Sequence, residues 1–254
     1  MGENSYEAEV IVIGAGLAGM VTALELLDQG KSVVMFDAAA RERFGGLAGW
    51  SFGGMFFVDS PEQKRNGIKD SVDLAMRDWV RYGELDPNDR WPYAWAEAYV
   101  NNCTADVRDW LAERGVEFFR AVNWTERGYY VPGNSVPRFH IVWGTGEGII
   151  LALIPLLEAH EKAGRLKLHF NHRVEGLTQE AGQVVGCHGS HGGGAFEARG
   201  DAVVIASGGI AGNHDRVRQI WPRDQWGDPP ETMLNGAVPE ADGLLLDKAA
   251  ELGA

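Results

Sequence analysis

The sequence predicts an α/β chain: a parallel sheet with helices on both faces, a helical insertion, and a small β-meander. Three observations carry this. AEVIVIGAGLAGMVTALELLDQGKSVVMFD places a short apolar run, a glycine-rich turn, a helical repeat and a second apolar run in succession. DAVVIASGG, near residue 205, is another buried-strand run that ends in a sharp turn. Between them, residues 60 to 114 carry apolar residues at helical rather than alternating spacing.

Taken in order, Val10 to Ile13 reads as a buried strand and Leu17 to Leu27 as the helix that follows, stopped at Gly30. Lys31 to Asp37 is the second strand. The joining turn is Gly14-x-Gly16-x-x-Gly19. Gly14 permits the tight turn, Gly16 lets a pyrophosphate reach the backbone, and Gly19 lets the helix pack on its strand. The pyrophosphate would sit at the helix N-terminus, where the dipole and free N–H groups favour an anion. Asp37 ends the second strand, where a carboxylate accepts hydrogen bonds from an adenosine ribose. No arginine replaces it, so nothing favours a ribose 2′-phosphate. These features together predict a Rossmann-like dinucleotide site, whereas an ordinary glycine turn would leave the position of Asp37 to chance.

Downstream, Ser60 and Pro61 mark a helix start, and Val72, Leu74, Ala75, Met76, Trp79 and Val80 supply its apolar face. A second helical tract runs from about Ala94 to Arg114, with Val107, Trp110 and Leu111 inward and Gly115 ending it; VEFF follows as a short strand. A third helix covers Gly146 to Lys162, bent or split at Pro155. LKLHFNHRV, Gln183 to Cys187 and the run into Asp201 read as a meander before the strand Ala202 to Ala206. A helix at Val217 to Trp221, a turn at Pro229-Pro230 and a last helix stopped at Gly253 complete the chain.

Composition narrows the function classes. A net charge of −13 opposes binding to nucleic acid or an anionic membrane surface. Cys103 and Cys187, the two cysteines, make neither a metal cluster nor a disulfide framework and point to a reducing compartment. The acidic start MGENSYEAEV lacks the pattern of a signal peptide, and no apolar run approaches membrane-spanning length. A cytoplasmic protein is expected. HGSHGGG reads as a solvated hairpin turn rather than a metal site.

The stretch RFGGLAGWSFGGMFF sets glycines among large aromatics, which is not linker composition. A β-bulge or turn would account for it, but Gly45 to Gly54 resembles the GG-N-T/S-x-x-A/S-x-G-G loop of the fumarate reductase, succinate dehydrogenase and 3-ketosteroid dehydrogenase flavoproteins. Leu47 and Ala48 depart from the usual Asn and Ser/Thr. WSFGGMFFVDSPEQKRNGIKDS and RFHIVWGTGEG resemble bacterial FAD-binding dehydrogenases of the same superfamily. VVIASGGIAGN is similar to its hhhATGGhxxN segment, with Ser207 in place of Thr, and ADGLLLDKAAELGA to its GDGxxMAxxAGA helix.

This resemblance implies FAD as cofactor, held by Gly14, Ala15, Gly16, Ala18, Gly19, Asp37 and Ala38, and by Gly45, Gly46, Leu47, Ser51, Gly53 and Gly54. It also implies a backbone contact from Val174 to the adenine, and further contacts from Ala206, Ser207 and Gly208. Trp50, Phe52, Phe56 and Phe57 are candidates for walling the flavin ring. The expected domains are residues 1–57 and 141–211 for FAD, 58–140 as a helical insertion, and 212–254 as the start of an incomplete capping domain. The implied chemistry is hydride transfer between flavin N5 and a carbon–carbon bond next to a carbonyl, on a small-molecule carbonyl substrate. Arg138 and His140 are candidates to polarise the carbonyl or move a proton; a salt bridge and a satisfied interior histidine are the plainer readings. The resemblance covers only the N-terminal half of a family chain, which is read as a fragment of a longer enzyme, a truncated gene product, or one part of a split enzyme whose partner supplies the C-terminal half. A non-catalytic FAD-binding fragment or split-enzyme subunit, and an FAD oxidase of another class, remain as alternatives.

Overall fold

A computed structural model of the chain describes residues 4–254. In chain order its elements are β1 (Ser5–Glu7), β2 (Val10–Ile13), α1 (Leu17–Asp28), β3 (Val33–Phe36), β4 (Gly54–Phe56), α2 (Pro61–Arg65), α3 (Val72–Tyr82), α4 (Arg90–Asn102) and α5 (Trp110–Glu113). There follow β5 (Phe139–Ile141), α6 (Thr145–Lys162), β6 (Leu166–His169), β7 (Arg173–Glu180), β8 (Gln183–His191), β9 (Gly194–Arg199), β10 (Ala202–Ile205), α7 (His214–Gln219), α8 (Arg223–Trp226) and α9 (Leu244–Glu251). The chain divides into two compact units: residues up to Ala48 together with Leu153–Ala254, and Gly49–Ala152.

In the first unit, β10, β2, β3 and β6 form a parallel sheet in that order. Every residue of β2 and β3 is buried, as a parallel strand covered on both faces requires. A second sheet, ordered β1-β9-β8-β7, is antiparallel except where β1 runs parallel to β9. Ile11, Ile13, Val34 and Phe36 from the first sheet pack with Val174, Cys187, Phe196 and Ala198 from the second and Leu245 from α9.

The meander is therefore β7-β8-β9, and Leu166–His169, which the sequence reading placed in it, joins the parallel sheet beside β3. Alternation in a sequence marks a strand but not its partner. β1 had no counterpart in the sequence reading; its Tyr6 rests edge-on against Phe36 at 5.2 Å.

The second unit is mostly helical. The helix expected to begin at Ser60 is two helices. Ser60 closes a capping box with Gln63 over α2. Gly67, at φ +71°, turns the chain, and Ser71 caps α3 through the Leu74 N–H. The tract expected from Ala94 starts at Arg90 and widens into a π-helical turn over Cys103–Asp109 before α5. Gly115 ends it with φ +86°. VEFF forms no strand, only a bridge from Phe118 to Val142. α6 runs through Pro155 without a break, and α7 begins at His214, capped by the Asn213 side chain on the Arg216 N–H.

Candidate cofactor site

The site is built where β2 hands over to α1. Gly14 has φ +107°, and a Cβ there would stand 2.3 Å from the Ala206 carbonyl oxygen, so only glycine fits against the end of β10. Gly19 is equally constrained, since its Cβ would lie 1.9 Å from the Gly14 oxygen. Gly16 differs: a Cβ there meets nothing within 4 Å. Gly16 is the N-cap of α1, no side chain caps that end, and its first turn carries no acidic residue. The helix's first bond runs from the Met20 N–H to the Gly16 oxygen at 2.9 Å. The N–H groups ahead of it thus lack helical acceptors beside open space, which fits an anion held by backbone. Ala15 is buried and Ala18 exposed.

The second glycine pair closes on this turn. The Gly45 N–H donates to the Ala15 oxygen at 2.9 Å, and Gly45 bridges Gly16 in parallel. Gly45 and Gly46 both have positive φ, and a Cβ on Gly46 would stand 3.3 Å from the Gly16 Cα. Leu47, next in the chain, is exposed. Glycines 45 and 46 are thus accounted for by close approach to the turn between β2 and α1.

Asp37 ties the region together. One carboxylate oxygen accepts from the Ala15 N–H at 2.6 Å, the other from the Ala39 N–H at 2.7 Å. Burial pushes its pKa up, against the two backbone donors. Each oxygen retains a further lone pair, so acceptance from a ribose is compatible with these bonds. Ala38 beside it is half-buried. Val174, buried in β7, pairs with Gly189, where a Cβ would lie 1.9 Å from the Arg173 oxygen.

Ala206 extends the pairing of β10 through its N–H to the Ile13 oxygen at 2.7 Å. Ser207 is half-buried; Gly208 is exposed, with φ +82°, and a Cβ there would approach Ala241 at 3.6 Å. Ala241 belongs to a strap that the sequence reading left without a role. Glu240 pairs with Arg43, Asp242 with Arg173, and the Gly212 N–H binds the Ala241 oxygen at 2.8 Å. Arg43 and Glu240 both act on Asp37 electrostatically, with opposite signs. No local pattern announces such pairs; the ADG triplet was the available signal.

The remaining predicted residues lie in the second unit. The Ser51 oxygen accepts from the Gly146 N–H at 3.0 Å. Gly53, at φ +71°, would bring a Cβ 2.5 Å from the Thr145 backbone, and Gly54 would drive one to 1.8 Å from the Phe139 ring. Packing within the unit thus already requires these two glycines. Among the aromatic candidates, Trp50 and Phe52 are exposed and Phe57 is fully buried.

Arg138 and His140 are interior, both at 0% exposure. Arg138 forks onto Asp70 with two bonds of 2.8 Å and reaches Asp78 at 2.7 Å and Asn134 at 2.9 Å. His140 lies 2.6 Å from the Arg138 oxygen through Nδ1 and 2.7 Å from Ser60 Oγ through Nε2. Burial lowers the His140 pKa. Both side chains are spent on protein partners, so the structural readings fit them and an exposed catalytic role does not. His188 and His191 also differ from expectation: they lie in β8 rather than in the turn, and His191 stacks on His172 at 3.8 Å.

An α/β fold with a second glycine pair closed on the turn between β2 and α1 defines the class, that of FAD-binding domains. The chain belongs to the FAD binding domain family, whose model matches residues 9–253. It is 42% identical to a KsdD-like steroid dehydrogenase of Mycolicibacterium smegmatis, over 98% of this chain and 48% of that protein. Its fold matches the 3-ketosteroid-Δ4-(5α)-dehydrogenase of Rhodococcus jostii RHA1 with a TM-score of 0.78 and 25% identity, covering 100% of this chain and 55% of that one. A flavocytochrome c3 fumarate reductase matches with a TM-score of 0.80 and 25% identity, over 99% and 41%. The chain spans about half the length of the curated steroid dehydrogenases it matches. FAD is the cofactor these findings indicate, and the open, uncapped N-terminus of α1 fits it. No helix among the described residues is long and apolar enough to cross a membrane.

Proposed function

We propose that this chain is the FAD-holding part of a dehydrogenase or reductase that acts on a carbon–carbon bond adjacent to a carbonyl in a small-molecule substrate. The observation that carries the reading is the convergence of Gly14, Gly16, Gly45, Asp37 and Ala206 on one backbone turn beside open space. FAD, when bound, supplies a hydride donor or acceptor at flavin N5.

The chain's own residues divide the work. The α1 N-terminus and the backbone of Gly14, Ala15, Gly16, Ala18, Gly19, Gly45 and Gly46 hold the pyrophosphate. Asp37 and Ala38 receive the adenosine ribose, and the Val174 backbone receives the adenine. Leu47, Ser51, Gly53 and Gly54, with Ala206, Ser207 and Gly208, contribute backbone groups along the rest of the cofactor. Arg138 and His140 orient the interior of their unit and touch no substrate. On this reading, the groups that polarise the carbonyl and move the proton belong to the polypeptide that corresponds to the other half of the relatives.

The steroid dehydrogenase relatives favour a ketosteroid over a dicarboxylate. Two free, buried thiols support a cytoplasmic setting. A second reading, an FAD-binding subunit without turnover of its own, draws on the half-length match. The test mixes the FAD-loaded chain, alone and with a separately expressed C-terminal half of the M. smegmatis relative, with 4-androstene-3,17-dione and an electron-accepting dye. Dye reduction only in the presence of both polypeptides supports the proposal; reduction by the chain alone contradicts the division of labour.

A further inference from the structure

The turn between β6 and β7 carries histidines that the cofactor reading leaves without a role, and it is bonded directly to Asp37. The Asp37 N–H donates to the His169 oxygen at 2.9 Å, and the His172 N–H donates to the Asp37 oxygen at 2.8 Å. The Asn171 N–H donates to the Ala39 oxygen at 2.9 Å. These backbone bonds fix the Asp37–Ala39 segment to residues 169–172. Asn171 is left-handed at φ +56°, a conformation that asparagine tolerates better than most residues. The place of Asp37 therefore depends on the shape of this turn.

The rings around the turn suit one protonation state. His172 is buried, and its Nδ1 lies 2.8 Å from the Phe170 oxygen. A carbonyl only accepts, so Nδ1 carries the hydrogen and Nε2 accepts from the Tyr6 hydroxyl of β1 at 2.9 Å. His191 of β8 donates through Nδ1 to the Asn171 oxygen at 3.0 Å, and its ring stacks on His172 at 3.8 Å. The His169 ring lies 5.1 Å from that of His172, and its buried Nε2 has no hydrogen-bond partner. Phe36 of β3 and Phe196 of β9 close the cluster without charge. The other ionisable neighbours acting on these rings are His191 and, for His169, Lys167 of β6. No carboxylate among the described residues bonds to the rings, and that of Asp37 is taken up by the Ala15 and Ala39 N–H groups. A proton added to His169 or His172 creates a buried cation with no counter-ion.

We propose that His169 and His172, stacked under His191, form an acid-sensitive latch on Asp37: the cofactor site stays closed while both rings are neutral and loosens when they take up protons. The inference rests on the proposed reading of Asp37 as the acceptor for the ribose. Burial lowers His169 to about 4 and lowers His172 as well, with His191 acting in the same direction on both. Once the turn loosens, water reaches the rings and they return toward the ordinary value near 6.5. As pH falls through 6.5 toward 4, the loosened form therefore binds protons first and gains population. Linkage is reciprocal, so FAD binding in this window expels protons. Both histidines are positioning residues; neither touches the reacting atoms.

The experiment titrates the 254-residue chain with FAD at pH 7.5 and 5.5, with circular dichroism confirming the fold at both. Flavin fluorescence gives affinity, and calorimetry in two buffers of different ionisation enthalpy counts protons. Affinity falls about tenfold at pH 5.5, the factor set by one histidine of ordinary pKa that must be emptied. Protons are released on binding at pH 5.5 and not at pH 7.5. His169→Gln and His172→Gln each flatten the pH dependence, whereas His188→Gln, an exposed histidine of β8, retains it. Wild-type histidine resonances followed by NMR need no variant to fold: the His169 and His172 titration midpoints fall when FAD is bound. Equal FAD affinity at both pH values, or midpoints that FAD leaves unmoved, overturns the latch. Proton release that persists unchanged in both histidine variants assigns it to the buried Asp37 carboxyl and also overturns it. A folded chain that binds no FAD at either pH counts instead against the cofactor reading beneath it.

Discussion

Gly45 pairs with Gly16 through backbone alone, forming a parallel bridge between the β2–α1 turn and the second glycine loop. The two loops are thus one structure, and side chains added to it should act in position-specific ways.

Gly16→Val should leave the fold intact, because its Cβ meets nothing within 4 Å, while filling the space that the proposed function gives to the pyrophosphate. Gly14→Ala should do the reverse. Its Cβ would stand 2.3 Å from the Ala206 oxygen at φ +107°, costing about 1–3 kcal/mol in strain. Thermal melts and flavin absorbance together separate the two: flavin loss at a wild-type melting temperature for Gly16→Val, a lowered melting temperature for Gly14→Ala. Retained flavin in folded Gly16→Val removes the turn from the site.

Asp37→Ala removes the acceptor for the Ala15 and Ala39 N–H groups and, on the proposed reading, for the ribose. Hydrogen bonds to a charged group are worth about 1.5–3 kcal/mol each, so FAD affinity measured by flavin fluorescence should fall at least tenfold. Equal affinity in the variant would take Asp37 out of the site.

Arg138→Met should destabilise the protein by about 3–5 kcal/mol in urea unfolding, because it removes the guanidinium paired with the buried Asp70 carboxylate and leaves Asp78 with Arg81 and Ser135 alone. Adding Asp70→Asn and Asp78→Asn should recover part of the loss. A stable Arg138→Met chain would contradict the interior role assigned to this arginine.

The histidines set a pH dependence. Burial lowers His169 from the usual 6.5 to about 4, and burial also lowers His140 and His172. The folded state therefore prefers them neutral, while the unfolded chain takes up protons as pH falls through 6.5. Stability from this source is present above pH 6.5 and declines toward pH 4. Melting temperatures should fall across that window, and His169→Gln should flatten the slope; an unchanged slope would show that His169 contributes nothing to it.

The parts of the fold visible in sequence are those fixed by local rules. β2, α1 and β3 announce themselves through buried apolar runs around three glycines, of which Gly14 and Gly19 are required by close backbone contacts and Gly16 leaves open space. The close approach of Gly45 and Gly46 was legible because glycine beside bulky residues needs a cause. Partnerships over long separations were not legible. Nothing near Arg138 in sequence reveals Asp70 and Asp78, 68 and 60 residues away, and nothing near Arg43 reveals Glu240. The same limit put Leu166–His169 in the wrong sheet. The division of the Ser60 helix was available in Gly67 and Ser71, a stop followed by a cap, but the apolar face from Val72 onward masked it.

The central claim is that this chain holds FAD on the turn formed by Gly14, Gly16 and Gly45. The most direct measurement is the visible absorption spectrum of the purified 254-residue chain after gel filtration and incubation with FAD. A flavin spectrum that co-elutes with the wild type and is absent from folded Gly16→Val is the predicted result. A colourless wild-type chain, folded by circular dichroism and unable to retain added FAD, would contradict it.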